Sequence, residues 1–232
     1  MKINKFRNLL NEFGDNVSFD HDLKKKNWFN IGGKSKVFYK AENLKDLIKF
    51  LKKIDPKEKL FILGAGSNTL ISDELFDGIV IKLSKNFNNL SLLEENIIIA
   101  GTGVLDKSVS DFAVKNNLSG FEFLSCIPGS IGGGIRMNAG CFGREFKDIL
   151  LSIQVIDRLG NIKTIKVQDI NFEYRKNDLP DDLIFLSASF KGVKSEGIEI
   201  QNEIKKLKTE KEKNQPTKIK TSGSTFKNPI SQ

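Results

Sequence analysis

Two stretches of small residues carry the most specific chemistry in this chain. GAGSNTLISD (residues 64–73) follows the apolar run KLFIL, and IPGSIGGG (residues 127–134) comes sixty-odd residues later. Glycine lets a backbone approach a ligand closely, and successive N–H groups at such a turn can cradle a phosphate. Ser67 and Asn68 can add side-chain hydrogen bonds. A Rossmann fingerprint is excluded, because its third glycine falls on Thr69 and the chain runs through SDELFDG into another strand rather than a helix. A P-loop is excluded as well. Gly33-Lys34-Ser35 matches its end, but Trp28 stands where its first glycine should be and KVFYKA continues as a strand. Two readings remain. Either both loops are ordinary tight turns, or together they wrap one dinucleotide.

The elements that must position these loops are readable from periodicity. Residues 5–13 place Phe6, Leu9, Leu10 and Phe13 at helical spacing before Gly14. VFYKA (37–41) is a strand, and Asn43 caps a helix over 44–53 with Leu44, Leu47, Ile48 and Leu51 on one face. Strands are expected at 59–63, 78–83 and 96–104, the last ending in a tight turn, and a helix at 106–117. Residues 152–167 form a hairpin about Leu-Gly-Asn, 183–191 a strand, and 196–213 a charged, solvated helix with Ile198, Ile200, Ile204 and Leu207 as its sparse apolar positions. Mixed short strands and helices define an α+β chain.

Composition narrows the function classes. The 232 residues fit one large domain or two small ones, and 18 Phe supply a sizeable core. No run of about eighteen apolar residues suggests a membrane span, and the N-terminus does not read as a signal peptide. Cys126 and Cys141 are expected as free thiols in a reducing cytoplasm. His21 with two separated cysteines makes no zinc site. The net charge of +8 is spread through lysines, and Arg136, Arg144, Arg158 and Arg175 are dispersed, which disfavours a nucleic-acid surface. A basic site for a small anionic substrate fits better.

The motifs together resemble the UDP-N-acetylenolpyruvoylglucosamine reductase (MurB) family. GAGSNTLISD is similar to its first FAD-pyrophosphate loop and IPGSIGGGIRMNAGCFG (127–143) to its second flavin loop. FEYRKNDL (172–179) resembles its Tyr-Arg segment. SGSTFKNP (222–229), preceded by a helix and Gln215-Pro216, resembles its catalytic serine loop. FNIGGKSKVFYKAEN (29–43) resembles the opening of the flavin domain.

The resemblance implies an FAD-binding fold of the MurB/vanillyl-alcohol-oxidase (PCMH) type plus an incomplete substrate-binding domain. FAD would be held by Gly64, Ala65, Gly66, Ser67, Asn68, Thr69, Gly129, Ser130, Gly132, Gly133, Asn138, Ala139 and Gly140. It also implies NADPH as hydride source, sharing the substrate's site, and reduction of the enolpyruvyl group of UDP-N-acetylglucosamine enolpyruvate. Arg175 would face the substrate carboxylate, where negative charge develops, and Ser224 would donate the proton. Tyr174 and Asn228 are substrate-binding candidates, Tyr174 leaning toward a core aromatic. For Arg175 a structural role, and for Ser224 a turn hydroxyl, are the alternatives that residue type alone leaves open.

Residues 1–191 are expected to form the FAD-binding domain in two subdomains, and 192–232 the start of the substrate-binding domain. Family members run on to a glutamate in a Ser-Glu-Lys-His-like motif, whereas this sequence stops at Gln232. The expectation is therefore a truncated chain that binds FAD weakly or not at all and has little reductase activity. The rival readings are another FAD-dependent oxidoreductase of the same fold, a nucleotide-binding remnant, and, last, a basic nucleic-acid binder.

Overall fold

The computed structural model describes residues 3–215, with side chains from residue 8 onward. Helix α1 (Ile3–Phe13) leads into strand β1 (Val17–Asp22), which pairs antiparallel with β2 (Lys34–Ala41). The Asn43 side chain accepts the Asp46 amide at 2.9 Å and starts α2 (Leu44–Lys53), which buries Leu47, Phe50 and Leu51. The chain returns through β3 (Leu60–Ile62), and then β4 (Phe76–Leu83) inserts between β2 and β3, parallel to both. The first sheet has the order β1-β2-β4-β3. Its core centres on Tyr39, whose ring stacks on Phe50 at 3.8 Å between centroids, with Phe13 edge-on to both.

Strands β5 (Leu90–Leu93) and β6 (Ile97–Gly101) then open a second, wholly antiparallel sheet, which is finished much later in the chain. Between lie α3 (Asp106–Lys115), β7 (Leu118–Ser119), a 3-10 helix at Glu122–Cys126, and α4 (Ile131–Arg136). The small hairpin β8 (Gly140–Cys141) and β9 (Arg144–Glu145) follows. The expected hairpin of residues 152–167 is β10 (Leu150–Ile156) with β11 (Ile162–Lys166), turning at Gly160 with φ +84°. Next come the short hairpin β12 (Phe172–Glu173) and β13 (Lys176–Asn177), and then β14 (Ile184–Lys191). The order of the second sheet is β11-β10-β14-β6-β5. Its core joins Ile98, Ala100, Ile153 and Phe190 to Val109 and Ala113 of α3 and Ile135 of α4.

Strand β15 (Val193–Lys194) pairs with β7, and α5 (Gly197–Asn214) packs on α3 and the 3-10 helix. Helix α5 is less solvated than its charge suggests: Ile200 and Leu207 are buried, while Ile198 stays exposed. The second glycine loop differs from its expectation as a plain loop. Residues 131–136 wind into helix α4 across β6 and β14 despite three glycines. Gly134 explains the register. A Cβ there would stand 2.2 Å from the Phe146 ring, so only glycine lets the helix close on the core.

Candidate active site

The two glycine loops come together along one cleft of about 1670 Å³. The first loop leaves the end of β3, and Trp28 N–H bonds back to the Gly66 carbonyl at 3.0 Å. The second leaves the 3-10 helix, and its Gly129 carbonyl accepts the Asp106 amide at 3.2 Å. Every residue expected to hold the cofactor lines this cleft: Gly64 through Thr69, Gly129, Ser130, Gly132, Gly133, Asn138, Ala139 and Gly140. Tyr174 and Arg175 line it too. Ser224 and Asn228 lie outside the described residues.

These glycines divide by what requires them. Gly66 has φ +71°, and a Cβ on it would sit 2.3 Å from the Lys26 carbonyl. A Cβ at Gly140 would sit 2.5 Å from the Arg144 carbonyl across the β8–β9 hairpin. Their small size serves the fold itself. Gly133 is different. It is exposed to the cleft, its φ is unstrained, and the nearest atom to an added Cβ is Ser130 Oγ at 3.7 Å. The protein's own packing does not demand glycine there, whereas a close-approaching ligand would.

Ser130 Oγ stands between the loops, 2.8 Å from where a Gly64 Cβ would be. It is buried and without a hydrogen-bond partner among the described residues. A buried hydroxyl left unpaired costs about 1–3 kcal/mol. A bound phosphate or ribityl group could satisfy it. Asn138 is otherwise engaged: its amide donates to Glu145 Oε2 at 3.0 Å and to the Glu173 carbonyl at 3.3 Å, and accepts the Lys147 N–H at 3.2 Å. Its side chain therefore ties the β8–β9 hairpin to the β12–β13 hairpin.

That second hairpin carries Tyr174-Arg175 at its tip. Asn177 Nδ2 donates to the carbonyls of Ile135 and Arg136 at 2.9 and 3.0 Å, fastening the hairpin to the end of α4. Arg175 adopts φ +61°, a left-handed conformation unfavourable for a side-chain-bearing residue by about 1–2 kcal/mol. Its guanidinium lies 5.0 Å from the centroid of the half-exposed Tyr174 ring. Tyr174 is thus a rim residue rather than a core aromatic. Arg175 is the second residue of the two-residue turn that joins β12 to β13, a position where turn geometry calls for positive φ.

Two charged residues at the cleft carry roles that reading the sequence missed. Lys82 of β4 donates through Nζ to the Gly64 carbonyl at 2.7 Å. Burial, with Lys26 nearby, lowers its pKa. Asp106 opens α3 fully buried, with neither carboxylate oxygen hydrogen-bonded among the described residues, and burial holds its pKa well above the ordinary range. In sequence, Lys82 reads as one more polar strand position and Asp106 as an ordinary acidic first-turn residue. Among the described residues the cleft is lined by seven Lys and Arg against four Asp and Glu. Its volume exceeds the ~300–1,000 Å³ usual for one small ligand. The arrangement suits a large anion with room for a second reactant. The two cysteines, fifteen positions apart, also line this cleft, and neither is in a disulfide.

The sheets, the paired glycine loops and the anion-suited cleft define a flavin-binding oxidoreductase class, and residues 35–166 match the family described as "FAD binding domain". The chain is 62% identical over all of its 232 residues to UDP-N-acetylenolpyruvoylglucosamine reductase of Pelagibacter ubique, covering 77% of that protein. It is 44% identical to the enzyme of the same name from Rickettsia typhi over 91% of this chain and 71% of that one. The structure of UDP-N-acetylenolpyruvylglucosamine reductase (MurB) from Thermus caldophilus superposes with a TM-score of 0.79 at 28% identity, over 92% of this chain and 74% of the other. The chain therefore belongs to the UDP-N-acetylenolpyruvoylglucosamine reductase family, and with it to the FAD-containing oxidoreductases of peptidoglycan precursor synthesis. p-Cresol methylhydroxylase shares the fold alone, at a TM-score of 0.56 and 15% identity, over 84% of this chain and 44% of that one. Among the described residues no helix is long and apolar enough to cross a membrane.

Proposed function

We propose that this chain holds FAD across its two glycine loops and uses NADPH to reduce the enolpyruvyl group of UDP-N-acetylglucosamine enolpyruvate, giving UDP-N-acetylmuramate. The observation that carries the reading is convergence. Two loops sixty-odd residues apart and a strained Tyr-Arg hairpin face one cleft, with an unpartnered Ser130 hydroxyl between them. Bound FAD would supply the hydride chemistry, and the protein supplies binding, orientation and charge.

The chain's residues divide that work. Gly133 leaves the second loop open to close approach, and Ser130 Oγ offers the hydrogen bond it otherwise lacks. Lys82 fixes the first loop through the Gly64 carbonyl and places positive charge beneath it. Arg175 offers a planar fork of N–H donors to the substrate carboxylate, where negative charge grows as the alkene is reduced. Its backbone is held before substrate arrives, so little reorganisation is required. Ser224 gives its Oγ proton to the carbon beside the carboxylate, and Asn228 binds the substrate. Both assignments rest on the resemblance of SGSTFKNP to the family's serine loop. NADPH enters the same cleft, whose volume accommodates reactants in turn. Residues 1–191 form the cofactor-binding domain and 192–232 the opening of the substrate domain, and the chain works in the cytoplasm.

The test is single-turnover chemistry. The chain is loaded with FAD, reduced anaerobically with NADPH, and mixed with UDP-N-acetylglucosamine enolpyruvate. Return of the oxidised flavin spectrum with formation of UDP-N-acetylmuramate supports the reading. A reduced flavin that the substrate leaves reduced while oxygen reoxidises it would overturn the substrate assignment.

A further inference from the structure

Leu105 and Ser130 form an isolated antiparallel bridge that lays the second glycine loop over the start of α3. On one side of the bridge the Ile131 N–H donates to the Val104 carbonyl at 2.9 Å, and on the other the Asp106 N–H donates to the Gly129 carbonyl at 3.2 Å. The Asp106 carboxyl is sealed under this seam, at the wall of the cleft. It is 0% exposed, and its Oδ2 lies 2.6 Å from where a Cβ on Gly129 would be. Neither carboxyl oxygen has a hydrogen-bond partner among the described residues. The buried hydroxyls of Ser130 and of Ser110, one turn along α3, are equally unpaired there, so neither serves a carboxylate at position 106.

Such a place does not hold an ionised carboxylate. Unpaired and cut off from water, the group keeps its proton instead. Ionisation sends that proton to solvent and leaves a charge that must be hydrated, and the seam has no space for water while Gly129 lies against Oδ2. One side has to move. Helix α3 is anchored by Val109 and Ala113, both fully buried in the core. The segment Ile127–Ser130 that crosses Asp106 has no regular secondary structure, so it is the side that yields.

We propose that Asp106 is a protonation-controlled latch for the second glycine loop: its neutral carboxyl lets the loop seat in the position that receives FAD, and its ionisation lifts the loop. The latch rests on that loop being half of the flavin site, as proposed above. Asp106 is a positioning residue, acting through Gly129 and Ser130. The titratable groups of its own helix are Lys107, Asp111 and Lys115. The packed 3-10 helix carries Glu122 and Cys126, the first loop is fixed by Lys82, and α5 presents its glutamates and lysines between Glu199 and Lys213. None of them bonds to the Asp106 carboxyl, and burial alone raises its pKa. The seated-loop pKa therefore stands above the ~3.9 of a solvated carboxyl. Seating is fully favoured below that value and weakens as pH climbs toward the raised pKa, by up to about tenfold per pH unit.

The test is amide hydrogen exchange at residues 106 and 131, whose N–H bonds make the seam, in the cofactor-free chain between about pH 5 and 9. Rates are corrected for the intrinsic pH dependence of exchange. Protection at both amides should fall with pH by up to about tenfold per unit, while the interior α3 amides of Val109 and Ala113 fall less. Asp106→Asn, neutral at every pH and close to the carboxyl in size, should hold the seam level. Saturating FAD should restore the seam in the parent at high pH. Seam protection independent of pH in the parent would overturn the latch, whether or not the variant folds. So would an equal fall in Asp106→Asn. A seam that follows Asp106 but that FAD leaves unprotected would support the latch and overturn the flavin reading of the loop instead.

Discussion

Replacing Gly133 and Gly134 by alanine, one at a time, separates a ligand-facing glycine from a fold-required one. A Cβ on Gly134 would stand 2.2 and 2.3 Å from two Phe146 ring atoms. Phe146 is fully buried and packs edge-on to Phe123 and Phe190, so the ring has nowhere to retreat. Overpacking of this kind costs about 1–3 kcal/mol. For a domain of 150–250 residues, each kcal/mol shifts the melting temperature by about 2–4 °C, so G134A should melt roughly 2–12 °C lower. Gly133 is one residue away in the same helix, yet the nearest atom to its added Cβ is 3.7 Å distant. Alanine there should leave the cofactor-free protein as stable or about 0.5–1 kcal/mol more so, because glycine inside a helix is unfavourable by that amount. The same methyl group would occupy the surface offered to the FAD phosphates, beside Ser130 Oγ. FAD affinity should fall at least tenfold, or about 1.4 kcal/mol. Thermal melts without cofactor and flavin-fluorescence titrations on both variants decide the matter. G133A binding FAD like the parent would refute the division of labour, and so would G134A melting unchanged.

Four further outcomes follow from the site. Ser130→Ala should leave the cofactor-free melt unchanged or raised, because an orphaned buried hydroxyl is removed, and should raise the FAD Kd about 2- to 10-fold, read by fluorescence titration. Lys82→Met removes the Nζ bond to the Gly64 carbonyl and the charge beneath the first loop. FAD binding should weaken about tenfold or more and lose part of its salt dependence, read by titration at two ionic strengths. Asp106 has its folded-state pKa raised above an unfolded value of about 3.9, so the unfolded chain loses that proton first as pH rises. Its contribution is whole below about pH 4 and declines as pH climbs toward the folded-state pKa, by up to about 1.4 kcal/mol per pH unit. Asp106→Asn should flatten that slope in urea melts of the cofactor-free chain between pH 4 and 7, and equal slopes would contradict it. Arg175→Lys keeps the charge and loses the fork, so affinity for the enolpyruvyl substrate, read from its perturbation of the flavin spectrum, should drop about tenfold with FAD binding intact.

Helix α2 shows what was legible in the amino-acid order. Asn43 caps it, Leu47 and Leu51 recur on its buried face, and its observed bounds are those read from the pattern. The hairpin of β10 and β11 was equally plain, because alternation and a glycine turn are local signals. Helix α4 was not legible. Glycines 132–134 carry poor helix propensity, and tertiary contacts enforce the helix through Phe146 and the Asn177 side chain. The two glycine loops were readable from residue type, and they do face one cleft. Arg175 stood out only through its resemblance to a family segment, since its left-handed backbone has no signature in a non-glycine residue. Lys82 and Asp106 are not legible in the sequence, because each gains meaning from burial or from a partner distant in the chain.

The most direct test of the central claim is the visible absorption spectrum of the purified chain mixed with equimolar FAD and freed of unbound flavin, before and after anaerobic NADPH. The account predicts a retained flavin band near one FAD per chain, bleached by NADPH. A chain that emerges colourless from the mixture would contradict the claim that the two glycine loops build a flavin site.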